Sequence, residues 1–270
     1  MVARANFSEE LRDLSAHMLG KMDILFDGKS TSEWPKGIKI DTADLGPRVT
    51  DQQEIGLRLS HGMDCDRVQW YKHNEPQFHV PPPAMIQLEK FSVGDLWEAY
   101  SHGILPHCMP TDWTYINAKN MEITLRGIKG HLDGLIINKK KKWLIISDSK
   151  ASSGFRHKKW TEGHKPDEPW GNWNQAANYC YAMDALCRRD TSKYHGYKVI
   201  GFVWPALVTG GFGWDLAAGW ATRQDIEPWH KKTQDSYRRA KSLASPPIRW
   251  QHTNVCKYCN FRQHCKKDSR

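Results

Sequence analysis

The chain has 270 residues, with 39 Lys plus Arg against 30 Asp plus Glu for a formal charge of +9, and seven cysteines. That length buries a sizeable core without disulfide staples, and 26% charged with 11% aromatic residues excludes wholesale disorder. No uncharged apolar run approaches the roughly 18 residues of a membrane span; the cationic surplus, with a sequence pI near 9.1, favours a polyanionic partner such as nucleic acid.

In chain order, residues 6–22 are expected to form an amphipathic helix opened by Ser8, with Leu11, Leu14 and Met18 on one face. Residues 27–48 hold Gly28, Pro35, Gly37, Gly46 and Pro47 without a sustained period and read as a loop or a strand-like excursion. Residues 73–83 end in Pro81, Pro82 and Pro83, which cannot continue a helix and are expected in polyproline form. The apolar period over 85–100 is helical with an interruption at Gly94. Residues 121–128, 131–137 and 143–149 read as strands, the last two flanking Asn138 and four lysines as a hairpin. A helix over 173–187, a strand over 197–208 and a helix over 225–243 with Pro228 in its first turn follow, ended by Pro246 and Pro247. The expectation is an α/β chain with a central mixed sheet flanked by helices. Residues 1–83 form a helical N-terminal extension, 84–244 the core, and 245–270 a cysteine-rich tail packed against the N-terminal region. The amino terminus lacks the apolar core of a secretory signal, so a reducing cytosol is expected, where cysteines are more often buried, metal-bound or catalytic than paired.

The hairpin brings charged groups together. Centred between Lys140 and Lys141, its register sets Asp133 opposite Asp148 and His131 opposite Lys150, and period-two alternation points all four to one face. Carboxylates about 5 Å apart repel by about 3 kcal/mol at an effective dielectric near 20 unless a cation or proton lies between them. A divalent cation with oxygen ligands, Mg²⁺ or Mn²⁺, answers that repulsion and suits phosphodiester hydrolysis. Lys150 would orient or help deprotonate water and offset developing phosphate charge. The alternative is a solvated sheet face with Lys150 as a simple cross-strand charge partner. Against it, Leu135, Ile136 and Ile137 after Asp133, and Leu144, Ile145 and Ile146 before Asp148, read as strands buried on both faces, where unpaired carboxylates are costly.

The order Gly130-His131-Leu132-Asp133, then Asp148-Ser149-Lys150, then Gln175 to Tyr179 on a helix, resembles the PD-(D/E)XK nuclease superfamily in its RecB-like branch, which includes CRISPR-adaptation and AddB-type exonucleases. Gly94 to Glu98 resembles that branch's upstream helical motif. The resemblance implies a restriction-endonuclease-like core in which Glu98, Asp133, Asp148 and the Ser149 backbone carbonyl bind Mg²⁺ or Mn²⁺. It makes Lys150 the catalytic lysine, with Gln175 and Tyr179 supporting the site from one helix face. His131 is read either as leaning on the metal or the scissile phosphate, or as a hydrogen-bonded structural histidine.

The tail spacing Cys256, Cys259, Cys265 suggests a metal, because the intervening Lys257, Asn260, Arg262, Gln263 and His264 make a poor core. In iron-sulfur members of the same branch a distant cysteine completes the set, and Cys65 with its preceding Ser60 is similar, which implies a 4Fe-4S cluster on Cys65, Cys256, Cys259 and Cys265. The rival is zinc on those cysteines, or with His252 or His264 replacing Cys65. Cys108, Cys180 and Cys187 lack ligand spacing, and the last two read as core residues.

Arg156, Lys158, Lys159, Trp160, Trp170 and Trp173 interleave cations with rings, which suits a single strand, although packing of the tryptophans over the sheet is the competing account. The expectation is therefore a DNA nuclease of repair or recombination type, a single-stranded DNA exonuclease acting where ends are free, in a bacterial or phage-infected cytosol. The alternatives are a structure-selective endonuclease and a non-catalytic zinc-stabilised nucleic-acid-binding module. No GxxxxGK[ST] phosphate loop is present, so unwinding would fall to a helicase or recombination partner.

Overall fold

A computed structural model describes residues 2–26, 38, 57–59, 65–75, 85–153, 172–209, 213–220, 223–247, 256, 259 and 261–268. Helix α1 (Val2–Phe26) is longer than its amphipathic core and buries Leu11, Leu14, Met18, Met22 and Leu25, spaced three and four apart along one stripe. Helix α2 (Asp66–Asn74) follows Cys65; its polar sequence gives no apolar period, and it was not anticipated. Helix α3 (Met85–Ile104) runs through Gly94 without a break, correcting the expected interruption, and passes into a short 3₁₀ turn, Leu105–Cys108. A lone glycine lowers helix propensity by only about 1 kcal/mol, which packing on either side outweighs.

The first sheet strand, β1 (Trp113–Asn117), went unpredicted because its burial does not alternate cleanly. Residues 121–128 are not one strand. They hold β2 (Glu122–Leu125) and the start of β3 (Ile128–His131), a separate hairpin turned at Arg126 and Gly127, both at positive φ (51° and 78°). Two consecutive positive-φ residues are what a tight hairpin demands, and glycine at the second meets that demand. The long apolar strands β4 (Gly134–Asn138) and β5 (Trp143–Ser147) then pair antiparallel from Asn138↔Trp143 to Gly134↔Ser147, in the expected register about Lys140 and Lys141.

After β5 the chain makes a short irregular step into β6 (Lys150–Ser153), crosses through α4 (Asn172–Cys187) and returns as β7 (Lys198–Thr209), parallel to both β5 and β6. Strand β8 (Gly213–Trp220) pairs antiparallel with the other edge of β7. Because β5 and β6 lie end to end along β7, the six strands make a mixed sheet five strands wide, in the order β1, β4, β5/β6, β7, β8. Helices α5 (Arg223–Ser242) and α6 (Arg262–Lys267) complete the described elements; Pro228 lies inside α5, one turn deeper than expected.

Alternation divides the core between the sheet faces. Leu135, Ile137, Leu144, Ile146, Phe202 and Trp204 pack with α4 and α5, while Ile136, Ile145, Ile200 and Val203 pack with α1, Trp97 and the 3₁₀ turn. Helix α1, grouped by the sequence with an N-terminal extension, is therefore the apolar cover of one sheet face. Cys180 and Cys187 sit in the α4 core as expected, and Cys108 in the opposite layer; burial raises all three thiols, Cys108 to about 12 and Cys187 to about 11. Among the described residues no helix is long and apolar enough to cross a membrane.

Candidate active site

The site forms where the β4–β5 ladder ends. Asp133 immediately precedes β4 and Asp148 immediately follows β5, each one residue beyond the last pair, Gly134↔Ser147. The Asp148 N–H still donates to Val203 O (3.1 Å) along β7, but the Ser149 N–H turns away and donates to Asp133 Oδ2 at 2.8 Å. The diverted donor marks the break between β5 and β6, so the irregularity that interrupts the sheet also ties the two acidic loops together.

Asp148 is buried, 2% exposed, and Lys150 Nζ lies 2.5 Å from its Oδ2. Lys150 also donates to Gln175 Oε1 (3.2 Å), and Gln175 Nε2 donates back to Asp148 Oδ1 (3.2 Å) and to the Tyr179 hydroxyl (3.3 Å). Gln175 and Tyr179, four residues apart, occupy one face of α4, which lays that face over the end of β5. Burial, then the neighbouring Asp148, hold the Asp133 carboxyl well above the usual carboxylate range; Lys150 and the Ser149 N–H act against them, and Glu98 adds to the rise.

Two glycines in the segment Gly130 to Gly134 are spaces for aromatic rings. A Cβ at Gly130 would lie 2.8 Å from Tyr179 Cε1, and one at Gly134 would lie 2.4 Å from the Tyr115 hydroxyl. Real Cβ contacts do not come that close, so the residues flanking Asp133 admit Tyr179 on one side and Tyr115 on the other. Tyr115, 6% exposed, contacts His102 Nδ1 through its hydroxyl at 2.7 Å, and His102 Nε2 is 3.5 Å from Glu98 Oε1. Burial first, then Asp133 and Glu98, push the Tyr115 phenol upward. Neither Tyr115 nor His102 was anticipated. Their available signals were the glycine after Asp133 and the placement of His102 one helical turn beyond Glu98.

His131 does not belong to this group. It is the last residue of β3, paired with Glu122 in the small hairpin, half-exposed, with Nε2 3.9 Å from Glu122 Oε2. The expected pairing with Lys150 fails because the chain breaks at Leu132 and Asp133, moving His131 from the large sheet to the small one. Glu98 engages His102 and, at 3.9 Å, Lys119, and its charge reaches Asp133. Among the described residues no three His, Cys, Asp or Glu side chains are gathered closely enough to hold a metal. The nearest fit is the pair Asp133 and Asp148, hard oxygen donors of which Asp133 resists ionisation beside its neighbour. Of the expected strand-contacting residues, Arg156, Lys158, Lys159, Trp160 and Trp170 lie outside the described residues, as do the side chain of Trp173 and the expected polyproline segment.

At the other end of the chain, Cys65, Cys259 and Cys265 pack against Val68, Trp70, Tyr71 and Phe261, and Cys256 is joined to Cys259 by a backbone bond of 3.4 Å. All four thiols are half-buried and unbridged. Thiols in an aromatic and apolar surrounding have the soft-donor chemistry of a thiophilic metal group, but among the described residues no three of them are gathered closely enough to hold one. His264, the alternative zinc ligand, instead places Nε2 2.7 Å from Glu75 Oε2 and stands edge-on to Tyr71; His252 lies outside the described residues.

No protein-family model and no curated relative matches the chain. A solved structure titled "Crystal structure of SSO0001" is similar over 81% of this chain and 89% of its own, at 16% identity and a TM-score of 0.40. At that level the likeness supports no residue-by-residue comparison.

Proposed function

We propose that this protein is a metal-dependent DNA nuclease with a PD-(D/E)XK core of the RecB-like branch, acting on single strands from free ends and carrying a 4Fe-4S cluster on Cys65, Cys256, Cys259 and Cys265. The observation that carries the reading is the closed ring of Asp148, Lys150 and Gln175, set beside a second, partly buried carboxylate, Asp133, whose ionisation desolvation and Asp148 oppose. A merely structural ion pair has no use for the second acid.

When bound, Mg²⁺ or Mn²⁺ would supply Lewis acidity, polarising the phosphoryl group and making water a better nucleophile. Asp133, Asp148 and the Ser149 carbonyl would hold the ion. Lys150, restrained between Asp148 and Gln175, orients the attacking water and offsets negative charge as it builds on the non-bridging phosphate oxygens. Water adds to phosphorus, one bridging P–O bond breaks, and the leaving oxygen takes up a proton. Tyr179 fixes Gln175, and Gln175 keeps the ammonium from drifting out of line.

The test is cleavage of linear and circular single-stranded DNA in Mg²⁺, Mn²⁺ or EDTA. An exonuclease degrades the linear strand and spares the circle; cutting of the circle selects the endonuclease form. Lys150→Ala is expected to slow cleavage by about 10²–10³-fold. Undiminished cleavage by Lys150→Ala, or cleavage in EDTA, sinks the reading. Purification without oxygen should give a brown protein with broad visible absorption, whereas a colourless zinc-loaded protein rejects the cluster.

A further inference from the structure

We infer that Tyr115 and His102 are positioning residues for the carboxylate site, holding Glu98 so that its charge faces Asp133. The inference rests on the nuclease reading only in taking that site to bind a divalent cation.

The ring nitrogens decide the direction of the relay. On one side of His102 stands a Glu98 carboxylate oxygen, which only accepts, 3.5 Å from Nε2; on the other stands the Tyr115 hydroxyl, 2.7 Å from Nδ1. A neutral imidazole facing a carboxylate carries its hydrogen on Nε2, so Nδ1 is the acceptor and Tyr115 donates. The Tyr115 hydroxyl, able to donate as well as accept, supports at Nδ1 the tautomer that the Glu98 carboxylate favours. The separation of 3.5 Å exceeds a direct hydrogen bond yet lies within electrostatic reach, so His102 biases the Glu98 carboxylate while leaving it able to move.

The surroundings fix Tyr115 in turn. Its ring belongs to the apolar layer beneath the sheet, with Trp97, Ile136 and Val203, and its hydroxyl rests on the backbone of Gly134, where any side chain would collide with it. Gly134 directly follows Asp133, so the backbone that presents Asp133 is also the surface that seats the hydroxyl. Ser147, the ladder partner of Gly134, is the residue before Asp148, so the strand pair that seats the hydroxyl also leads into the Asp148 loop. One phenol thus stands among Glu98, Asp133 and the start of the Asp148 loop. The carbonyl of Asp133 is itself fixed by Ala118 N–H at 2.9 Å, leaving the seat little play. Partners that orient metal ligands typically contribute 10- to 100-fold in metal affinity.

The experiment is Mn²⁺ binding by calorimetry or electron paramagnetic resonance on the full-length protein, with cleavage and thermal melting measured in parallel. Tyr115→Phe removes one oxygen and keeps the ring; it is expected to weaken Mn²⁺ binding by about 10-fold or more while melting stays within a few degrees of the parent. His102→Leu should do the same, and His102→Gln, whose amide can still donate toward Glu98, should recover part of the loss. Parent-like Mn²⁺ affinity in folded Tyr115→Phe and His102→Leu overturns the inference while leaving the nuclease reading intact, provided Asp148→Asn abolishes binding. Absence of Mn²⁺ binding by the parent overturns both.

Discussion

The carboxylate site and the cysteine junction are assembled by opposite means. At the carboxylate site the prospective ligands come from the ends of neighbouring strands, and the sheet alone brings Asp133 beside Asp148, at the expense of mutual repulsion. At the junction, the residues that hold the tail are not the prospective ligands. Arg67, fully enclosed, donates from Nε to the Tyr71 hydroxyl (2.9 Å) and pairs through Nη2 with Asp268 Oδ2 (2.8 Å), while Nη1 reaches Pro247 O (3.4 Å). Tyr71 stacks on Phe261 with centroids 5.6 Å apart. Helix α2 is anchored to α5 by Trp70 Nε1 to Leu243 O (2.8 Å), Ser236 Oγ to Asp66 Oδ1 (2.6 Å) and Arg239 Nε to Asp66 Oδ2 (2.9 Å). One region holds two carboxylates that repel each other; the other is clamped by protein contacts alone.

Arg67→Ala should separate the two most sharply. It takes the guanidinium away from Asp268 and from the Tyr71 hydroxyl, which keep weaker contacts such as their own at 3.2 Å, and loss of one partner of a buried pair costs about 3–5 kcal/mol. Denaturant unfolding should register that loss; on the proposed reading, cluster content should fall while Mn²⁺ affinity of the remaining folded protein stays at the parent value, and loss of Mn²⁺ binding would show that the regions are coupled. Asp133→Asn acts in the opposite sense. Because the folded-state value of Asp133 is raised, its contribution to stability is present below the ordinary carboxylate range and is lost as pH rises through that folded value. The metal-free variant should therefore melt about 2 °C or more above the parent at neutral pH, and melting below its parent would contradict the repelling-pair description.

Between the regions runs the α4–α5 seam, where His230 is buried against Asn178 (Nδ1 to Oδ1, 3.3 Å) and stacked on Tyr181. Burial, then Arg126, lower the imidazole to about 4 from 6.5. Its contribution to stability is full above pH 6.5 and is lost as pH falls toward about 4. His230→Gln should flatten that part of the melting profile, whereas an unchanged slope would place the acid sensitivity elsewhere. The smallest effect belongs to Lys141→Ala, which deletes a partly exposed pair with Glu10 at the hairpin tip and should cost less than about 1 kcal/mol by denaturant unfolding. A larger loss would make the tip a structural link between α1 and the sheet.

Strong local signals made much of this legible before folding. The stripe of Leu11, Leu14 and Met18, the apolar runs beside Asp133 and Asp148, and the helix carrying Gln175 and Tyr179 each follow from periodicity, and the hairpin register followed from the lysine turn. The residues missed share another property: their roles depend on partners far away in sequence. Helix α2 has no apolar period, because Arg67, Trp70 and Tyr71 answer to Asp268, Leu243 and Phe261 rather than to one another. The register that set His131 opposite Lys150 fails because alternation assumes an unbroken strand, and the break at Leu132 and Asp133 depends on Met121 and Ala118.

The sequence by itself determined which residues lie on one face of one element and which strands are long and apolar enough to form the centre of the sheet, since 3.6- and two-residue periods are properties of a single segment. Only the tertiary structure decided that Ser149 would give its N–H to Asp133, that Gly130 and Gly134 would seat Tyr179 and Tyr115, and that Tyr115 would meet His102 and Glu98. Those outcomes depend on distances between elements of less than an ångström's tolerance, which arise only when all the layers pack at once.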